Sequence, residues 1–105
     1  MSRARDKANS TVSNFASTGI DDNADATAIT IDSSENVLVG KTTTAFGTDG
    51  ALVSASGELN VTRDGAVPVS LNRRTSDGRI VNLAKDGSTV GSIGVKGGNP
   101  FLVNA

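Results

Sequence analysis

The sequence predicts a mostly β protein built of short strands and hairpins. Val, Ile and Leu alternate with polar residues in short runs between residues 28 and 95, which is the period of a strand with one apolar face. Aspartate followed by glycine is a strong hairpin signal, because both residues tolerate positive φ and fit tight primed turns. This dipeptide recurs at Asp49-Gly50, Asp64-Gly65, Asp77-Gly78 and Asp86-Gly87.

The composition leaves little to bury inside a single copy of the chain. Among 105 residues, which suffice for one domain at most, the aromatic residues are Phe15, Phe46 and Phe101. Ordering a residue costs roughly 1.5 kcal/mol, whereas apolar burial returns only ~25 cal/mol per Å². A sequence rich in Gly, Ser, Thr, Asn and Asp would by itself indicate disorder, but the regular strand pattern argues against it. We therefore expect an oligomer in which the copies bury their strands against one another.

Residues 1–19 are predicted to form a short N-terminal helix that serves as an anchor. Ala8, Val12, Phe15 and Gly19 follow the four-three-four spacing of heptad a and d positions. Such a short helix is marginal alone, so we weigh a frayed arm against a helical bundle at the symmetry axis. We favour the bundle because Phe15 needs an apolar partner. Gly19 is expected to end the helix, and residues 20–27 follow as an acidic linker.

Residues 28–105 are predicted to form a β-rich fibre domain. Ile29 and Ile31 are expected to pair with Val37 and Val39 in a first hairpin, whose turn is residues 32–36. A Thr- and Gly-rich connection over residues 40–50 follows. The further predicted strands are 52–53, 59–61, 67–71, 79–83 and 89–95, and a last apolar piece covers 101–103 after a breaker cluster. Pro68 implies that strand 67–71 lies at an edge or bulge, or starts there.

The titratable residues do not indicate catalysis or metal binding. His and Cys are absent, which removes the imidazole base and the thiolate nucleophile. Glycan-cleaving enzymes use paired carboxylates, whereas the acids here mostly precede turn glycines, and Glu58 is expected in solvent. Residues 21–25 with Asp32 echo a calcium loop, but Ala26 stands where glycine is needed and the terminal Glu is missing. We expect a non-enzymatic protein with no cofactor and no metal.

The charges and hydropathy give no case for a nucleic-acid or membrane partner. The net charge is −1 with interspersed signs, and the small basic cluster of Arg3, Arg5 and Lys7 is expected to be a solvated helix start. No apolar run approaches the ~20 residues of a membrane span. Arg73 and Arg74 would point to opposite faces of a strand. We expect an inter-chain ion pair there, with Asp77 or Asp64, rather than ligand binding.

Two blocks of the sequence resemble bacteriophage tail fibres and tail spikes. Residues 28–40, Ala-Ile-Thr-Ile-Asp-Ser-Ser-Glu-Asn-Val-Leu-Val-Gly, resemble a strand-turn-strand unit common in that family, where Gly often stands in place of Glu35. Residues 57–65, 68–78 and 85–94 are similar to the segment that precedes the self-cleaving chaperone domain of such fibres. The resemblance covers about residues 24–95.

The resemblance implies an intertwined parallel homotrimer in the virion tail, assembled in the host cytoplasm. It implies a structural stalk or adaptor that links the tail to a host-binding element. The N-terminal region would contact other tail or baseplate proteins, and a host-surface glycan or receptor would be a further partner. Family members usually continue into a C-terminal chaperone or receptor-binding tip; neither lies in this sequence, which implies a processed fibre, a stub or an adaptor.

Three alternatives remain at this point. A capsid decoration protein or head fibre would have the same fold and a different attachment point. A host-glycan-binding module is disfavoured because Trp and Tyr, the usual stacking platforms for sugars, are absent. A small glycan hydrolase is the weakest alternative, because the acids lie mostly in turns.

Overall fold

In the computed structural model, the described residues, 16–104, form nine strands and no helix, which confirms the mostly β prediction. The strands pair antiparallel in sheets of two, four and three strands. They are β1 (Ala16–Ser17), β2 (Ile20–Asp21), β3 (Ile29–Ile31), β4 (Val37–Val39), β5 (Gly50–Val53), β6 (Leu59–Thr62), β7 (Gly78–Lys85), β8 (Ser88–Lys96) and β9 (Asn99–Asn104). The chain divides into two compact units between Asp64 and Gly65.

The predicted N-terminal helix over residues 1–19 falls mostly on residues 1–15, which lie outside the described residues. Its last residues are not helical, so this end of the prediction is wrong. Ala16 pairs with Asp21 and Ser17 with Ile20, and residues 18–19 form the tight turn between them. Ser17 Oγ accepts a hydrogen bond from the Gly19 N–H within this turn (3.4 Å), and such local side-chain bonds to the backbone compete with a helical turn.

The four-stranded sheet of the first unit is a meander in the order β3-β4-β5-β6. The predicted first hairpin is confirmed, and the strands predicted at 52–53 and 59–61 are β5 and β6. Leu38 is opposite Leu52, and these two are the buried hydrophobic side chains among the described residues. The buried Lys41 side chain stabilises the loop that follows it. Its Nζ donates hydrogen bonds to the carbonyls of Ala45 (3.0 Å) and Thr48 (3.4 Å).

The turn between β3 and β4 is held by Asp32 and Asn36. Asp32 Oδ1 accepts from the backbone N–H groups of Ser34 (2.9 Å) and Asn36 (3.0 Å), and its Oδ2 accepts from Asn36 Nδ2 (3.1 Å). Asn36 Oδ1 accepts from the N–H of Ala55 (2.9 Å), which ties the turn to the β5–β6 connection. Glu35 adopts φ 63°, a left-handed conformation that costs an L-residue roughly 1–2 kcal/mol.

The three-stranded sheet of the second unit has the order β7-β8-β9. The strands predicted at 79–83, 89–95 and 101–103 are confirmed. Asp86 and Gly87 form the two-residue turn between β7 and β8 with φ 52° and 81°, as in a type I′ hairpin. The predicted breaker cluster contains a second such turn at Gly97-Gly98, with φ 60° and 81°. Edge strand β9 follows it and accommodates Pro100.

The predicted strand over residues 67–71 is wrong for the single chain. The structure assigns no strand between β6 and β7, over residues 63–77. A strand requires a hydrogen-bonded neighbour, and none of the strands within residues 16–104 pairs with this segment. Pro68 further removes one backbone donor. We call residues 66–77 the connecting segment.

Candidate interaction surface

One face of the four-stranded sheet consists entirely of aliphatic side chains. The register places Ile29, Val39, Ala51 and Val61 in one row across the sheet, and Ile31, Val37, Val53 and Leu59 in another. The row between them holds the buried Leu38 and Leu52. Because successive side chains of a strand point to opposite faces, the two outer rows share the face opposite these leucines. We call these eight residues the aliphatic face.

The aliphatic face is largely exposed in a single copy of the chain. Ile31 exposes 70% of its surface, Leu59 63% and Ile29 61%, while Val39 and Val53 are nearly half exposed. Soluble monomers rarely expose contiguous apolar patches larger than a few hundred Å², and larger ones mark interaction sites. The alternation in the sequence thus leaves the large aliphatic residues of this face uncovered within the four-stranded sheet.

The second sheet carries a similar but smaller patch. Val81, Ile93 and Leu102 form one row across β7, β8 and β9. Leu83 and Val95 lie two residues along their strands and share that face. Leu102 is 75% exposed, and Ile93 and Leu83 are each more than 40% exposed. We call these five residues the second aliphatic patch. Each unit of the chain therefore presents an uncovered apolar surface.

The acidic residues considered for catalysis have local partners. Asp49 Oδ2 accepts from the N–H of Asp64 (3.3 Å), and Asp77 Oδ2 accepts from the N–H of Gly97 (2.9 Å). Glu58 Oε1 accepts from Asn60 Nδ2 (3.3 Å) on the exposed surface. Asp86 forms an ion pair with Lys85 that is almost fully solvated. These four carboxylates therefore lie at turns and strand ends, where each interacts with a nearby group.

The acidic residues considered for calcium are also used locally. Asp21 Oδ2 accepts from Asn23 Nδ2 (3.4 Å), and Asp22 Oδ1 accepts from the N–H of Ala24 (2.9 Å). Asp32 is bound within its own turn. Its bonds from the backbone and side chain of Asn36, and from the backbone of Ser34, lower the pKa of the Asp32 carboxyl. Within the described residues, no three His, Cys, Asp or Glu side chains gather in a way that could hold a metal ion.

Arg73 is an exposed residue whose guanidinium forms three hydrogen bonds near the start of β7. Its Nε donates to the Ser76 carbonyl (3.0 Å), its Nη2 to Ser76 Oγ (3.2 Å) and its Nη1 to the Arg79 carbonyl (3.0 Å). A Cβ atom added to Gly78 would lie only 2.7 Å from the Arg73 guanidinium, so glycine leaves the space that this side chain needs. The sequence did not predict this clamp, and the inter-chain ion pair expected for Arg73 or Arg74 stays a prediction.

Comparison with known proteins adds no family to this description. No family model matches the chain, and neither a curated protein nor a solved structure shows significant similarity to it. Within residues 16–104, no helix is long and apolar enough to cross a membrane.

Proposed function

We propose that this chain is a structural component of a bacteriophage tail fibre, a homotrimeric stalk or adaptor without enzymatic activity. It would be assembled in the host cytoplasm and would link the tail to a host-binding element. The observation that carries the proposal is the aliphatic face: a small β protein with so few buried side chains per copy gains its core by association. The N-terminal region, residues 1–19, is the proposed attachment to other tail or baseplate proteins.

The exposed area is large enough to support association. The exposed fractions of Ile29, Ile31, Val39, Val53 and Leu59 together equal nearly three whole side chains. Full burial of such a side chain contributes about 1.5–3 kcal/mol, so covering these five contributes roughly 4–9 kcal/mol per copy. Association costs an estimated 4–15 kcal/mol in lost freedom. A trimer forms in two association steps, so this cost is roughly 8–30 kcal/mol in all. Covering the five residues in all three copies contributes roughly 12–27 kcal/mol, which is of the same size before the second aliphatic patch is added.

The resemblance to tail fibres favours a fibre over other oligomers. The block at residues 28–40 coincides with the β3–β4 hairpin, and the block at 85–94 lies on the β7–β8 hairpin. Glu35 adopts positive φ at the position where the family often has glycine, so the structure gives a backbone reason for that family preference. These correspondences support the proposal and also fit its main rival, a capsid decoration protein or head fibre.

A host-surface glycan or receptor is a secondary proposed partner. Sugar-binding sites usually stack aromatic rings on the sugar, and this chain has neither Trp nor Tyr. Phe46 is exposed in the connection between β4 and β5, but a single Phe makes a poor platform. We therefore propose that host contact is made chiefly by another element of the fibre.

Two measurements test the proposal. Sedimentation equilibrium of the full chain should give three times the chain mass of 10.6 kDa, with no folded monomer at micromolar concentration. A stable folded monomer would refute the oligomer. Electron microscopy of particles labelled with an antibody against the chain should place it on the tail, whereas labelling of the capsid would establish the head-fibre alternative.

A further inference from the structure

The connecting segment has the side-chain pattern of a strand, but none of the strands within residues 16–104 pairs with it as a sheet neighbour. Val67, Val69 and Leu71 alternate with Pro68 and Ser70, and each of the three aliphatic residues is more than half exposed. Period-two alternation is the signature of a strand with one apolar face. The sequence therefore carries a strand pattern here, and the described part of the chain forms no strand from it.

The backbone of residues 69–72 is likewise without a paired strand. Between residues 69 and 72, no backbone group forms a hydrogen bond with another backbone group of residues 16–104. Backbone N–H and C=O groups are paired in nearly all buried segments. If the aliphatic side chains of this segment become covered in an assembly, these backbone groups need partners at the same time, and a neighbouring strand supplies both.

The outer edge of β7 is the longest unpaired strand edge among the described residues. Strand β7 has eight residues and pairs with β8 alone. The outer edge of β9 carries Pro100, and edge strands β3 and β6 have three and four residues. Long unprotected edges recruit additional strands, whereas proline and short length discourage them. An eight-residue edge can accept a four-residue strand completely.

Arg73 restricts where an added strand can bind. Its Nη1 occupies the Arg79 carbonyl at the start of β7, so this acceptor is already satisfied. The part of the edge left for pairing is residues 80–85. The same clamp fixes the end of the connecting segment at the start of its own β7, and the segment does not fold back along that strand.

We propose that residues 69–72 of one copy add as a strand to the outer edge of β7 in a second copy. This inference rests on the proposed homotrimer. Each copy supplies one segment and one edge, so the contact is head-to-tail, and repeating it three times closes a ring. Val69 and Leu71 would then extend the second aliphatic patch across the chain boundary. Main-chain bonds would provide affinity, and the two aliphatic side chains would fix the register.

Engineered disulfides provide the test, because the chain has no cysteine of its own. Chains with Leu71→Cys are assembled with chains that carry Val81→Cys, Leu83→Cys or Lys85→Cys. Residues directly opposite in paired strands have Cβ atoms about 4.5–5.5 Å apart, close to disulfide geometry. We expect one of the three mixtures to give a covalent dimer containing one chain of each kind. In the control mixtures, chains with Phe46→Cys, a loop residue of similar exposure, take the place of the Leu71→Cys chains. These mixtures should give no covalent dimer.

Hydrogen exchange on the unmodified protein gives a second measurement. In the trimer, the amides of residues 69–72 should exchange about tenfold or more slowly than those of loop residues 42–44. A trimer in which residues 69–72 exchange freely and no mixture cross-links, or in which Leu71→Cys chains link only to one another, would overturn strand addition and leave the proposed function standing. A folded monomer would overturn both.

Discussion

Replacing Ile31 with threonine tests the aliphatic face directly. Threonine is also β-branched and suits β3, and Ile31 is 70% exposed in a single copy, so the fold of that copy should tolerate the change. If the face is buried between copies, the variant loses most of a burial worth about 1.5–3 kcal/mol for a whole side chain. Scaled by the exposed fraction, the loss is roughly 1–2 kcal/mol per copy, or about 3–6 kcal/mol per trimer.

This loss corresponds to a rise of about 10²- to 10⁴-fold in the dissociation constant of the trimer. Sedimentation equilibrium over a dilution series measures the constant, and far-UV circular dichroism reports whether the strands remain. The matched control is Phe46→Ser, because Phe46 is 65% exposed and lies outside the aliphatic face. Equal sensitivity of the two variants, or a trimer that Ile31→Thr leaves unchanged, would refute the assignment of this face to the interface.

Four further predictions concern single residues. Glu35→Gly should raise the free energy of unfolding by about 0.5–1 kcal/mol in thermal denaturation, because it relieves positive φ. Gly87→Val should lower the melting temperature, since Gly87 has φ 81° in the turn that sets the β7–β8 register. Asp32 has a folded pKa below its unfolded value; its contribution to stability is therefore present above pH about 4 and is lost as the pH falls through the folded pKa, and Asp32→Asn should flatten this part of a pH–stability profile. Glu58→Gln should leave assembly and infectivity nearly unchanged, and lost infectivity in normally assembled particles would contradict the non-enzymatic proposal.

The strands of both sheets could be predicted because their signals are local. Alternating aliphatic residues at 29–31 and 37–39 locate β3 and β4, and Asp86-Gly87 locates a primed turn. Asp64-Gly65 also lies in a turn, but in the other two Asp-Gly pairs the glycine, Gly50 or Gly78, begins a strand. A dipeptide signals positive φ but does not say whether the chain reverses there, since this depends on what packs against the turn.

The turn at Gly97-Gly98 and the Arg73 clamp were not predicted from the sequence. The sequence pattern predicts a break at Gly97-Gly98, although two glycines between apolar runs also suit a primed two-residue turn. Here, the turn leads into β9. The Arg73 clamp could not be predicted, because its acceptors are the carbonyl and hydroxyl of Ser76 and the carbonyl of Arg79. Only the folded chain brings these three groups within reach of one guanidinium.

The proposed trimer would give the failed strand at residues 67–71 and the exposed aliphatic face one common physical cause. A sequence encodes which side chains must be covered, but a strand and a core also need a partner, and nothing requires that partner to belong to the same chain. In this protein, the local pattern correctly placed Ile29 and Ile31 on β3, and the structure leaves both exposed. The same pattern at Val69 and Leu71 produced no strand, and none of the strands within residues 16–104 pairs with it. Mismatches between pattern and single-chain structure therefore fall on the surfaces that we propose to meet in the trimer.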